Sequence, residues 1–388
     1  MKNEAIYKGN FGIERETLRV DQNCRLAQTP HPFEENGEIT RDFCENQIEL
    51  VTPVCKSVDG AVSELARLDA QVRKQLEGTG ETLWLYSNPP FFADDDEIPV
   101  ADFTGEHSGK RLYREQLQKR YGKRLMLFSG IHFNFSFDDE YLRSICDIDD
   151  FEQFKNGFYL RLYKQLSRHS WLPLLLTAAS PVYDRSLFEN GANGAAVGKY
   201  ASLRGSEKGY WNSFVPTLKF DSLSAFVDSI QQYVDSGRLF SASELYLPIR
   251  LKPKGVNTLE SFKNGVSHIE LRMFDLNPFE TLGVNAQDLE FAHLLAIYLS
   301  EQEDFDYAED MQRQAVLDHK SAALLDLNGV SVDGVPILDR AEQIMDKMTE
   351  RFAENKDAVA VIEYEKMKLK DRLCDRVISG DINRQRVI

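Results

Sequence analysis

Apolar and polar residues alternate with a period of two in three separate stretches, and the polar members are types that bind ions. Along Ile131 to Phe137, the residues Ile131, Phe133, Phe135 and Phe137 alternate with His132, Asn134 and Ser136. Along Glu244 to Lys252, Leu245, Leu247, Ile249 and Leu251 alternate with Glu244, Tyr246, Pro248, Arg250 and Lys252. From His268 to Phe274, Ile269, Leu271 and Met273 oppose His268, Glu270 and Arg272. A period of two is the side-chain repeat of a β-strand, so each stretch predicts a strand with one face against a core. The solvated face of an antiparallel sheet ordinarily carries generic Lys, Thr and Glu. Here it carries His, Asn, Tyr, Arg and Glu, the types that coordinate metals and clamp phosphates or carboxylates. The open face of the sheet therefore reads as a binding floor.

Helical periodicity at Ser57 to Leu76, Asp149 to Ser167, Leu223 to Ser236, Ala286 to Ser300 and Leu338 to Phe352 supplies a layer to cover the other face. The expected class is α+β, an antiparallel sheet with surrounding helices. Phe92 to Gly109, with its Asp94-Asp95-Asp96 run, and Glu189 to Lys199, rich in Gly and Asn, read as loops. No repeat, low-complexity tract or long linker divides the chain, so residues 1–388 are expected to form one catalytic domain. Within it, 286–388 is mainly helical and reads as scaffold.

Two acidic stretches bear on chemistry. In Gly12-Ile13-Glu14-Arg15-Glu16-Thr17-Leu18-Arg19-Val20, a strand would project Glu14 and Glu16 from one side, and two like charges that close call for a cation between them. By themselves they would also suit an exposed strand edge beside Arg15 and Arg19. In Asp42-Phe43-Cys44-Glu45-Asn46-Gln47-Ile48-Glu49, pleating puts Glu45, Gln47 and Glu49 on one face, and Asp42 reaches that face only if a bulge or loop precedes the strand. Cys44 offers a metal-ligand reading, but a small packed side chain fits better. With Glu270 and His132 added, separate segments offer hard oxygens and one imidazole. Such a set suits magnesium around a nucleotide, with manganese as the alternative ion, because substrate phosphates and water complete the octahedron. No HExxH or Cys/His spacing points to zinc.

Composition removes several classes. With 46 Lys and Arg against 62 Asp and Glu, the net charge of −16 opposes nonspecific binding to nucleic acid or anionic membrane. The longest apolar stretch, Trp171 to Ala179, falls short of the roughly 20 residues a spanning helix needs. Met1 to Asn10 holds no signal-peptide core, and five scattered cysteines without a CxxC pair fit reduced thiols in a cytoplasm. The expected partners are small-molecule substrates.

The motifs also resemble a known family. Gly12 through Arg19, Asp42-Phe43 through Glu49, and Ser129-Gly130-Ile131-His132-Phe133-Asn134-Phe135-Ser136 are similar to those of glutamate–cysteine ligase of the bacterial type. So are Leu112-Tyr113-Arg114-Glu115 with Arg120-Tyr121-Gly122, Ala179-Ser180-Pro181, and Ser202-Leu203-Arg204 with Gly209-Tyr210. Glu244-Leu245-Tyr246 with Pro248-Ile249-Arg250, and Ile269-Glu270-Leu271-Arg272 with Asp275-Leu276-Asn277-Pro278-Phe279, keep the family's order to about residue 285.

That resemblance implies a glutamine synthetase-like fold, in which the sheet floors a funnel for ATP and magnesium. It implies the first step of glutathione biosynthesis: glutamate's γ-carboxylate is phosphorylated by ATP and the γ-glutamyl phosphate is taken by the amine of cysteine. Glu14, Glu16, Asp42, Glu49, His132 and Glu270 match the metal and nucleotide shell. Arg272, Glu270 and Arg114 are the catalytic candidates, with Arg272 meeting the phosphoryl group or the glutamate. Phe43, Tyr113, Arg204, Tyr210, Tyr246 and Arg250 are the substrate-binding candidates, most of them around the acceptor. A ring of Tyr and Phe with an Arg would equally admit another small amino acid or amine. No ATP-grasp segment is present, so addition of glycine is not expected. The competing readings are a noncatalytic binder of metal or nucleotide, and a metal-dependent hydrolase with water activated near His132.

Overall fold

The computed structural model describes residues 2–34, 37–103 and 108–381. In chain order its strands are β1 (Gly9–Val20), β2 (Ile39–Arg41), β3 (Gln47–Val51), β4 (Thr82–Trp84), β5 (Gly130–Phe137), β6 (Val182–Asp184), β7 (Ala195–Val197), β8 (Ile249–Pro253), β9 (Val266–Asp275), β10 (Ser331–Val332) and β11 (Val335–Pro336). The helices are α1 (Lys2–Ala5), α2 (Val58–Leu76), α3 (Ser108–Tyr121), α4 (Asp139–Ser144), α5 (Phe151–His169) and α6 (Trp171–Thr177). They continue with α7 (Leu223–Asp235), α8 (Ala286–Ser300), α9 (Glu309–Ala322), α10 (Ile337–Arg351), α11 (Lys356–Lys368) and α12 (Leu373–Asp381). Among the described residues no helix is long and apolar enough to cross a membrane.

Seven strands form the main sheet in the order β2-β3-β1-β5-β9-β8, with β4 pairing the end of β1. All of its pairings are antiparallel. The long β1 lies near the middle, so its side chains meet neighbours on both sides. Register sets Glu14 opposite His132 on β5 and Glu16 opposite Glu49 on β3. Asn134 lies opposite Glu270, which lies opposite Arg250. One sheet face thus receives Glu14, Glu16, Glu49, His132, Asn134, Arg250 and Glu270.

The other face packs under α2, α5, α6 and α8. Ile13, Ile48, Leu50, Ile131, Phe133, Phe135, Ile269 and Leu271 join one apolar core with Leu65, Leu68 and Val72 of α2 and Leu289 and Leu295 of α8. The helix α2 forms because apolar residues recur every three to four positions behind Ser57, whose Oγ accepts from the Gly60 amide at 3.0 Å.

Several expectations change. The strand predicted from Glu244 begins at Ile249; Ala242–Glu244 is a 3-10 turn, and Pro248, lacking an amide hydrogen, cannot continue the ladder. Glu244 is fully buried away from the floor, accepting from Arg120 and Tyr121 at 2.6 Å each. Glu189 to Lys199 is not wholly loop, since Ala195–Val197 pairs with Val182–Asp184. In Phe92 to Gly109, Asp95–Glu97 forms a 3-10 turn and α3 begins at Ser108, while 104–107 lie outside the described residues. Among the described residues, the C-terminal part carries α8 to α12 and the β10–β11 hairpin, whose Asp333 and Gly334 take φ of 52° and 75°, a two-residue turn the Asp-Gly pair permits.

Arg15 and Arg19 are not at an exposed edge. Both are 0% exposed on the helix-facing side. Arg15 Nη2 meets Asp69 Oδ1 of α2 at 2.6 Å and Nη1 donates to the Leu282 carbonyl at 3.0 Å, while Arg19 Nη1 pairs with Glu81 at 2.5 Å.

Candidate active site

A cavity of about 220 Å³ opens on the polar sheet face. Glu14 and Glu16 reach it from β1, Glu49 from β3, His132 from β5, and Arg250, Lys252 and Arg272 from β8 and β9. Asp42 and Phe43 come from the loop between β2 and β3, which resolves the parity problem Asp42 would have inside a strand. Tyr113 and Arg114 come from α3, and Arg204, Tyr210 and Tyr246 from loops. Glu270 alone of the expected set does not line the cavity; it is 0% exposed beneath its floor. Glu45 lies apart from the cavity and accepts from the amides of His31 and Asp102 at 2.9 and 3.0 Å.

Glu14 is held by its cross-strand neighbours. His132 Nδ1 lies 3.0 Å from its Oε2, and Asn134 Nδ2 donates to its Oε1 at 3.1 Å. Burial and the Glu270 carboxylate oppose its ionisation, but the His132 bond and Lys252 outweigh them and draw it down to about 2. Burial and the Arg272 charge push His132 down to about 4, so the imidazole is neutral. Arg204 Nη2 faces His132 Nε2 at 3.4 Å, which makes Nε2 the acceptor and Nδ1 the protonated nitrogen.

The remaining carboxylates behave differently. Glu16 and Glu49 oppose each other across β1 and β3, an unfavourable placement for like charges. Burial and the Asp42 charge push Glu16 up to about 8, and burial with Asp42, Glu14 and Glu16 pushes Glu49 well above the ordinary range. Each would ionise readily beside a divalent cation. Burial likewise opposes charge on Glu270, yet Lys252, Arg272 and Arg250 hold its carboxyl well below the usual range.

The donor chemistry fits a hard cation. Glu14, His132 and Glu270 present one ligand atom each, all within 4.8 Å of one another. Glu16, Asp42 and Glu49 add further oxygens on the same cavity.

The basic residues fall into two groups by what holds them. Arg114 is an anchor: it donates to the carbonyls of Asp42, Arg41 (3.1 Å) and Lys110 (3.3 Å), which fixes the Asp42 loop. Arg250 donates to the carbonyls of Ser243 and Leu245 at 3.0 and 3.2 Å. Arg272 instead meets Glu270 and faces the cavity, because it follows Glu270 by two residues on the same face of β9. Arg204 Nη1 donates to the Arg272 carbonyl at 2.8 Å.

Asp275 steadies the Arg204 loop from below. Its carboxylate accepts from the Ala179 amide at 2.9 Å and the hydroxyls of Ser180 and Ser202 at 2.7 and 3.0 Å. Toward α3, aromatic rings close the cavity: Tyr210 and Tyr246 have centroids 4.2 Å apart, and Tyr121 lies 5.5 Å from Tyr246. Cys44 is packed and fully buried among apolar neighbours. A second cavity of about 300 Å³, lined by Asn10, Gly12, Thr52, Asn134, Ser136 and His268, continues along the sheet and shares Glu14 with the first.

A family model described as glutamate-cysteine ligase matches residues 1–238 and 236–320. The chain belongs to the glutamate–cysteine ligase family. The glutathione biosynthesis bifunctional protein of Listeria monocytogenes is 35% identical over 94% of this chain and 51% of its own length. The glutamate–cysteine ligase of Clostridium acetobutylicum is 31% identical over 84% of this chain and 79% of its own. Among solved structures, glutamate–cysteine ligase from Francisella tularensis in complex with AMP superposes with a TM-score of 0.86 at 26% identity, over 96% of this chain and 84% of that one. The chain thus spans about half the length of the bifunctional family members it matches.

Sequence reasoning left Lys252, Leu117, Phe128 and Ser243 out of the site, although all four line the cavity. Lys252 had a signal, its place in the period-two polar set. The others come from a helix, a turn and a loop, where no periodicity marks the inward side.

Proposed function

We propose that this chain is an ATP-dependent carboxylate–amine ligase that joins the γ-carboxylate of glutamate to the amine of cysteine, the first step of glutathione biosynthesis. The observation carrying this reading is that Glu14, Glu16, Asp42, Glu49 and His132, from distant segments, converge on one cavity walled by Arg204 and Arg272. Membership of the glutamate–cysteine ligase family supports it.

In the first step a γ-carboxylate oxygen attacks the terminal phosphorus of ATP, ADP departs and γ-glutamyl phosphate forms. In the second the amine nitrogen attacks the acyl carbon, phosphate leaves with the bonding electrons and the amine loses a proton. Both steps gather charge on oxygens, so fixed cationic groups supply most of the catalysis and no protein nucleophile is required. Arg272, which faces the cavity from β9, is placed to meet the transferred phosphoryl group, with Arg204 beside it. Arg114 holds the Asp42 loop in position. Glu14, Glu16, Asp42, Glu49, His132 and Glu270 would hold magnesium ions, which neutralise the triphosphate and polarise it. The second cavity, joined at Glu14 and lined by both polar and apolar side chains, is the place for the rest of the nucleotide.

Phe43, Tyr113, Tyr210 and Tyr246 with Arg250 form the acceptor end, whose small aromatic enclosure suits a short side chain such as that of cysteine. Residues 1–388 are read as one catalytic domain, since α8, α10 and α11 share the core of the sheet. Thiols at Cys44, Cys55, Cys146 and Cys374 favour a cytoplasmic setting.

A coupled assay for ADP tests the reading. Release of ADP and phosphate should require glutamate, cysteine, ATP and magnesium together, and absence of ADP release under those conditions overturns it. Replacing cysteine with a panel of small amino acids and amines then sets the acceptor.

A further inference from the structure

Lys252 enters the site from β8, opposite His268 of β9, and ends on a carboxylate of the cation seat. Its ammonium is ion-paired with Glu270 Oε2. The other oxygen of Glu270 meets Arg272, with Arg250 Nη1 and His132 Nδ1 each 3.9 Å away. Glu270 is 0% exposed and the Lys252 side chain 14%, so water screens this pair weakly. Lys252 also lines the same cavity as Glu14, Arg204 and Arg272.

We propose that Lys252 is a stand-in cation for the Glu14–His132–Glu270 seat, and that it makes entry of a divalent ion there conditional on the nucleotide. The proposal rests on the reading of this cavity as a metal and nucleotide site. A buried carboxylate such as Glu270 requires a compensating charge when no ion is present, and Lys252 with Arg272 supplies it. A divalent ion taking Glu14, His132 and Glu270 as ligands competes with the ammonium for Glu270 and repels it at short range. The flexible lysine stem lets the ammonium leave Oε2, but a free charge in this enclosure needs a new anionic partner. The triphosphate, held in the same cavity that Lys252 lines, is that partner. Ion and nucleotide each therefore relieve a cost of binding the other, and the coupling is reciprocal.

The test uses Mn²⁺ as the probe, followed by electron paramagnetic resonance on the full chain, with and without a non-hydrolysable ATP analogue. In the unaltered protein Mn²⁺ should bind weakly alone and tightly with the analogue. In Lys252→Met, affinity without the analogue should rise by about tenfold and the gain from the analogue should shrink by the same factor. Lys252→Gln repeats the measurement with a shorter neutral side chain, and Lys252→Arg should keep the original pattern. Adding Glu270→Gln to Lys252→Met should abolish the tightening, which localises the effect to this seat. Equal Mn²⁺ affinity without nucleotide in the unaltered protein and both neutral variants overturns the proposal while leaving the ligase reading intact. If the unaltered protein binds no Mn²⁺ in either condition, the metal-site reading fails and the proposal with it.

Discussion

Gly130 leaves the space that Arg204 fills. A Cβ built on it would stand 2.5 Å from Arg204 Cζ and 2.6 Å from Nε. The guanidinium cannot step aside freely, because the Arg272 carbonyl holds Nη1 at 2.8 Å. Gly130→Ala should therefore displace Arg204 and lower kcat/KM of the proposed ligation by about 10–100-fold, since small misplacements of a charge-stabilising group are costly. Gly157→Ala, in α5 where an added methyl meets nothing within 4 Å, should leave kcat/KM unchanged. Steady-state kinetics on both variants, with circular dichroism to confirm folding, checks the contrast. The motif Ser129-Gly130-Ile131-His132 was plain in the sequence. The reason for its glycine was not, because Arg204 arrives from far along the chain.

At the scale of elements, β1 does two jobs by parity. Glu14 and Glu16 face the cavity, while Ile13, Arg15 and Thr17 face the helices. Arg15 meets Asp69, which sits within the buried stripe of α2 between Leu68 and Val72. A charge on the core side of a strand and another in an apolar helix stripe each look like local errors. Together they form a buried pair. Removing one partner leaves a charge uncompensated, so Asp69→Ala should lose about 3–5 kcal/mol in urea unfolding. Arg73, half-exposed and paired with the same aspartate at 2.5 Å, should matter far less: Arg73→Ala is expected to cost about 1 kcal/mol or less. Equal losses in the two variants would contradict this division. Pairing across 54 positions carries no periodic signature, so the sequence could not set aside the alternative of an exposed edge beside Arg15.

At the scale of the whole molecule, the site's carboxylates set how stability follows pH in the metal-free protein. Glu16 is raised to about 8 in the fold, so between its unfolded value near 4.5 and 8 the native state holds a proton that the unfolded chain has released. Its contribution is full below about 4.5 and is lost as pH rises through 8. Glu49 acts in the same direction. Glu14, lowered to about 2, contributes fully above its unfolded value and is constant in this window. His132, lowered to about 4, favours the fold increasingly up to about pH 6.5 and is constant beyond it. The urea midpoint should therefore fall from pH 6.5 to 8.5, and Glu16→Gln should flatten the fall. Magnesium with ATP should oppose it, because ligands that bind only the folded state stabilise it. A midpoint that is level or rising over that range in the metal-free protein would contradict the assignment.

By itself the sequence determined the class of fold and that Glu14, Glu16, Glu49, His132, Arg250 and Glu270 share one sheet face, because a period of two states which side chains lie together. It also determined the helices α2, α5, α7, α8 and α10, since their apolar spacing is local. Tertiary structure decided what period cannot carry: that Asp42 reaches the cavity through a loop, that Glu270 lies beneath the floor with Lys252 on it, and that Arg15 and Arg19 are buried. Each of these depends on contacts between segments far apart in the chain, and local spacing holds no record of them.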